Sequence, residues 1–194
     1  MNKLARLAAI FLLLSFAAWA QEVRREFTVQ GSGFFPKETT GNGITSKPTY
    51  SGGVMAGYRF NLNKWMAVEG DYDYFRNSQK FLSNVGTAYL GTNVHAVTGA
   101  AVVRIPTLQR FRPFVLAGGG AMVFDPHDSA GIDRQTRGAF VYGGGGDYPV
   151  VRHVAIRAQY RGFVYKVPDF GTNQLKLDTY THAAVPSAGL VVTC

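Results

Sequence analysis

The stretch 66–75 reads MAVEGDYDYF and sets three carboxylates, Glu69, Asp71 and Asp73, two residues apart. Three like charges held together repel, so they need cations nearby. A second constellation, His127-Asp128-Ser129, has a His-x-Ser spacing with Asp125 and Asp133 close in sequence. Those are the residue types of a serine nucleophile and its base. No strand-borne glutamate is placed to orient the imidazole, and Asp125-Pro126 is a turn signal, so a loop tip is the favoured reading. His95, His153 and His182 fall in different segments with no His-x-x-x-His or His-Glu-x-x-His spacing, which predicts interfacial or loop residues and no metal site. The glycine runs Gly118–Gly120 and Gly143–Gly146 lack the lysine and hydroxyl of a phosphate loop, so no cofactor is expected.

The elements that must carry these residues follow from a period of two. Met66, Val68, Tyr72 and Tyr74 alternate with the three acids, so a strand puts apolar side chains on one face and charges on the other. The same division recurs. Val54, Ala56, Tyr58 and Phe60 oppose Arg59, and Val97, Ala101, Val103 and Ile105 oppose Thr98 and Arg104. Phe140, Tyr142 and Tyr148 oppose Asp147, and Val154, Ile156, Ala158 and Tyr160 oppose Arg157, Gln159 and Arg161. Eight such segments can be read, with cores near 26–35, 51–61, 65–76, 94–105, 111–124, 138–148, 154–166 and 182–193.

Long connections rich in Gly, Asn, Asp, Ser and Thr (36–50, 77–93, 125–137 and 167–181) alternate with short ones at 61–64, 106–110 and 149–153. That alternation predicts an all-β fold, an eight-stranded antiparallel up-and-down transmembrane β-barrel with both termini at the short-turn end. Eight strands leave an interior that side chains fill. Isolated charges among small residues suit that interior, and aromatics at strand ends suit two interfacial girdles. Glu69, Asp71, Asp73 and Asp147 are then expected to form an interior network with Arg59, Arg104, Arg157 and Arg161. A water-soluble eight-stranded barrel would put its apolar side chains inside. A soluble sandwich would need the Tyr, Phe and Val faces to pack on each other, and it explains the loop alternation less well. Glycine in a strand marks close approach or bending. Folding the segments about their connections is expected to bring Gly118 near Gly144 and Gly99 near Gly118, a belt of small residues that lets the barrel curve around its arginines.

Residues 1–20 stand apart. Lys3 and Arg6 precede an apolar run from Leu7 to Ala18, and Ala18-Trp19-Ala20 forms an A-x-A site. This layout predicts a signal peptide at 1–20 and a barrel domain at 21–194; the run is short for a membrane anchor helix. Charged residues make up only 16% of the chain, and the formal net charge of +8 falls by the two leader cations. Export and the lack of a recognition motif argue against nucleic acid as a partner. The single cysteine, Cys194, excludes an internal disulfide and a cysteine metal cluster.

With its leader, its eight alternating segments, FRPFVLAGGGAMVFDP at 111–126 and SAGLVVTC at 187–194, the chain resembles the outer-membrane protein A-like barrels. The resemblance covers the chain after the leader. It implies the outer membrane of a Gram-negative-type bacterium, with outer-membrane lipid, lipopolysaccharide and the assembly machinery as partners. It also implies host or cell-surface ligands bound through the loops. Of the family's C-terminal assembly signal, Ser187, Gly189 and Val192 fit, and Cys194 stands where the pattern has an aromatic. Pro186 is expected to mark a bulge or the effective start of the last strand. The function implied is a non-enzymatic structural or adhesive barrel. A narrow gated porin-like pore is the alternative, and an outer-leaflet lipid A hydrolase is less favoured.

Overall fold

Each segment pairs with the neighbour its alternation predicts. In a computed structural model, residues 25–41, 44–48, 50–83, 86–106, 110–127, 134–167 and 179–194 are described. The expected signal peptide, Asp128, Ser129 and Asp133 lie outside them. Ten strands form one antiparallel sheet: β1 (Arg25–Pro36), β2 (Thr39–Gly41), β3 (Ile44–Pro48), β4 (Ser51–Asn61), β5 (Met66–Ser83), β6 (Gly86–Arg104), β7 (Arg112–His127), β8 (Gln135–Val151), β9 (Val154–Lys166) and β10 (Tyr180–Thr193). Eight close into a barrel in the order β4-β1-β10-β9-β8-β7-β6, with β5 joining β6 to β4. Going round that ring, β5 and β9 lie opposite each other.

Closure turns one face of every strand inward. Along β1 the burial alternates residue by residue, with Glu26, Thr28, Gln30, Ser32 and Phe34 inside and Phe27 and Val29 outside. Val54, Val68, Val97, Ile156 and Leu190 are likewise exposed. An outer wall of that composition suits hydrocarbon, where a closed barrel pairs its backbone polar groups from strand to strand. The interior has two tiers. Toward the long connections it is apolar, with Phe34 stacked on Phe75 at 4.8 Å between ring centroids and Phe124 beside Tyr165. Toward the short turns it is charged.

Three local expectations are corrected. The connection 77–93 is not a loop. β5 runs to Ser83 and β6 starts at Gly86, paired all the way, and β3 extends this ribbon by pairing with β5 from Gln79 to Leu82. A strand that leaves the bilayer no longer needs an apolar face, so its alternation stops while its backbone pairing continues. One glycine neighbour also differs. Gly99, paired with Gly119, does lie beside Gly118, but Gly118 pairs with Val141 and Gly144 with Val115, so these two are not neighbours. A slip of one residue exchanges faces, so Gly99 looks outward while Gly118 looks inward. Pro186 makes no bulge and starts no strand. It pairs with Tyr160 of β9, while pairing to β1 lapses at Gly33 and Phe34 and resumes at Phe35 in the same register.

Candidate functional site: the interior charge network

Facing strands bring the interior charges together. Arg59 and Glu69 are direct cross-strand partners on β4 and β5, and Nε of Arg59 donates to Oε2 of Glu69. Asp147 and Arg157 are direct partners on β8 and β9; Nε donates to Oδ1 at 2.6 Å and Nη2 to Oδ2 at 2.8 Å. Two long arginines of β9 then cross the lumen to β5. Arg157 Nη1 donates to Glu69 Oε2 at 3.3 Å, Arg161 Nη2 donates to Glu69 Oε1, and Arg161 Nη2 lies 2.7 Å from Asp71 Oδ2. Glu69 is thus shared by three guanidinium groups.

Glu26 is a member that sequence reasoning missed. It accepts from Arg104 Nη2, from Arg157 Nη2 at 2.9 Å and from Asn61 Nδ2 at 3.0 Å. The signal was present: Glu26, Thr28, Gln30 and Ser32 alternate with Phe27 and Val29 as the other charged faces do. Phe114 is another, its ring lying 4.2 Å from the Arg59 guanidinium carbon and 5.0 Å from that of Arg157. Such a contact is favourable where the cation is desolvated. Arg59, Arg157 and Arg161 are completely buried. Burying three guanidinium groups is tolerable only because carboxylates surround them.

Asp73 differs from the other acids. It is fully buried, yet neither of its oxygens has a hydrogen-bond partner. Inward glycines stand beside the large charged residues: Gly143 pairs with Arg161, Gly189 with Arg157 and Gly57 with Asp71. A Cβ on Gly189 would meet the Val29 carbonyl oxygen at 2.1 Å and one on Gly143 the Tyr160 carbonyl oxygen at the same distance, so these strands approach too closely for a side chain.

The other motifs fall elsewhere. His95 Nδ1 bonds the Tyr72 hydroxyl at 2.7 Å and His182 Nε2 bonds the Tyr142 hydroxyl at 3.0 Å, each pair on the outer wall. His153 sits in the β8–β9 turn and His127 closes β7. Among the described residues no three His, Cys, Asp or Glu converge as metal ligands. In β10, Ser187 points inward and donates to Gln30 Oε1 at 3.0 Å, while Val192 and, just past the strand, Cys194 are exposed.

Residues 7–185 match the family model described as outer membrane protein beta-barrel domain. No curated protein matches the sequence. The outer membrane protein OprG from Pseudomonas aeruginosa is similar, with a TM-score of 0.67 and 11% identity over 89% of this chain and 96% of that one. Neisserial surface protein A gives 0.66 and 14% over 88% and 99%. Ail, the attachment invasion locus protein of Yersinia pestis, gives 0.50 and 18% over 88% and 99%. At these identities the shared property is the fold.

Proposed function

Since the chain belongs to the outer membrane protein β-barrel family and its barrel lies in the outer membrane, we propose that it is a non-enzymatic structural or adhesive protein that acts through the ends it presents. The observation that carries this reading is the filled lumen. The charged tier buries Arg59, Arg157 and Arg161 completely, and Phe34, Phe75, Phe124 and Phe163 are fully buried in the tier above. A water path would expose some of these side chains. The long connections are then the surface offered to a host or cell-surface ligand, and the attachment role in the name of Ail agrees with that use. Ail also has a structure in complex with the heparin analogue sucrose octasulfate. Here the long connections carry six basic and six acidic residues, so their net charge gives no attraction for a sulfated partner.

The same reading makes 1–20 a signal peptide and 21–194 the barrel domain, with lipopolysaccharide and lipid around the wall. The assembly machinery would take Ser187, Gly189, Val192 and Cys194 as its recognition segment. The test is single-channel recording in planar bilayers. No stable conductance is expected, and a stable open state would overturn the reading. It would favour instead a narrow gated pore, for which the sharing of Glu69 among Arg59, Arg157 and Arg161 is the supporting observation, since shared partners can exchange. The lipid A hydrolase rests on His127-Asp128-Ser129 spacing alone, and mass spectra of lipid A from expressing cells should show no change.

A further inference from the structure

The two ends of the barrel differ in charge. The four long connections balance, with six Lys or Arg against six Asp or Glu. The short-turn end presents Arg25, Lys64, Arg110, Arg112 and Arg152, all exposed. Among the described residues, the acids at this end, Glu26 and Asp147, are buried and held by interior arginines. Among the described residues, none of these five cations has an ion-pair partner. Most of the positive charge that remains after the leader therefore gathers at one rim.

Hydrogen bonds tie the described residues of that rim into a collar. Asn63 Oδ1 accepts from the N–H groups of Trp65 and Met66, each at 2.7 Å. The Ile105 N–H donates to the Pro113 carbonyl and the Thr193 N–H to the His153 carbonyl, both at 2.9 Å, and Arg25 and Cys194 exchange backbone bonds. Every turn of the collar also sets a cation beside an exposed apolar side chain. Trp65 follows Lys64, Phe111 lies between Arg110 and Arg112, and Val150 and Val151 precede Arg152. Side chains of these two kinds partition at a membrane boundary: rings and branched chains enter the acyl region, and guanidinium and ammonium groups stay at the phosphates. Short turns of such barrels face the periplasm.

We propose that the short-turn rim is a binding surface for anionic phospholipid headgroups of the periplasmic leaflet, phosphodiesters of the phosphatidylglycerol type. A cell-wall polymer also offers carboxylates from that side. The apolar residues between the cations favour lipid, since they would gain nothing from a hydrated polymer.

Trp65 reports on the site. The chain has two tryptophans, so Trp19→Phe in the full chain leaves Trp65 as the sole emitter. The protein is folded into phosphatidylcholine vesicles containing equal small fractions of brominated phosphatidylglycerol or brominated phosphatidylcholine. Quenching by the anionic lipid is expected to exceed that by the neutral one by roughly fivefold, the enrichment for about one cation's worth of surface attraction. The excess should vanish in an Arg25→Gln, Lys64→Gln, Arg110→Gln, Arg112→Gln, Arg152→Gln variant and persist in Arg76→Gln, Lys166→Gln. Roughly 0.5 M salt should suppress it in the unaltered rim, a readout that needs no variant to fold. Equal quenching by both lipids at low salt would overturn the proposal. So would charge-dependent cosedimentation with peptidoglycan sacculi from vesicles that show no lipid preference.

Discussion

Asp147 and Arg157 face each other across β8 and β9 and share two parallel hydrogen bonds, at 2.6 and 2.8 Å, in a fully closed interior. The planar guanidinium fork matches the carboxylate, so the pair fixes direction as well as charge. Asp147→Ala leaves Arg157 buried with its bidentate partner gone. A loss of about 3–5 kcal/mol is expected, read as the urea midpoint of the barrel in lipid vesicles. Arg157→Lys should not rescue the double bond, and a midpoint equal to that of the parent would mean water reaches the pair.

Asp73 should behave in the opposite way. Its oxygens have no hydrogen-bond partners, whereas Glu69 accepts from three arginines. Asp73→Asn removes a buried charge that no hydrogen bond satisfies, so stability should hold or rise. Glu69→Gln strands its arginines and should cost a few kcal/mol. Urea titrations of both variants in parallel decide this, and equal losses would show that Asp73 is paired through water.

On the outer wall, cost should follow depth. Val97 sits midway along the wall portion of β6, while Val103 pairs with Met66 beside the short turn, and both are exposed. Val97→Arg should cost about 2–4 kcal/mol and Val103→Arg about 0–1 kcal/mol, because an arginine near the edge reaches the phosphates. Equal small effects in vesicles would argue that this wall meets water.

Two neighbouring glycines should separate cleanly. A Cβ on Gly118 would meet the Gly99 carbonyl oxygen at 2.0 Å and the Ala100 Cα at 2.5 Å, whereas one on Gly99 meets nothing within 4 Å. Gly118→Ala is expected to destabilise by about 1–3 kcal/mol, as overpacking does. Gly99→Ala should be neutral or slightly stabilising. The fraction of heat-modifiable protein on a gel gives the comparison.

Cys194 is exposed and its thiol is free, while its amide and carbonyl are bonded to Arg25. A reducible dimer is therefore expected on non-reducing gels of membrane fractions. Cys194→Phe should remove the dimer and raise the amount of heat-modifiable protein in the outer membrane, because an aromatic gains apolar contact at the interface. Equal yields would mean that the terminal residue does not limit insertion.

The number of barrel strands, closure and the inward face were legible in the sequence because a bilayer outside and a side-chain-filled lumen inside impose a strict period of two on every segment that crosses. The strands β2 and β3, within the connection 36–50, were not. Arg59, Arg157 and Arg161 could be assigned to the lumen from parity alone. The ribbon from Asn77 to Thr92 could not be read, since outside the bilayer pairing persists without an apolar face. Which arginine meets which acid was likewise undetermined. Parity says that Arg161 and Glu69 point inward. Only closure puts β9 opposite β5 and lets the Arg161 guanidinium reach across to Glu69. The glycine registers needed the fold as well, because a one-residue slip preserves the composition of a strand while exchanging its faces. The tertiary structure alone therefore decided that Glu69 is shared by three arginines and that Asp73 is hydrogen-bonded to none, for these depend on distances across the lumen that no spacing along the chain encodes.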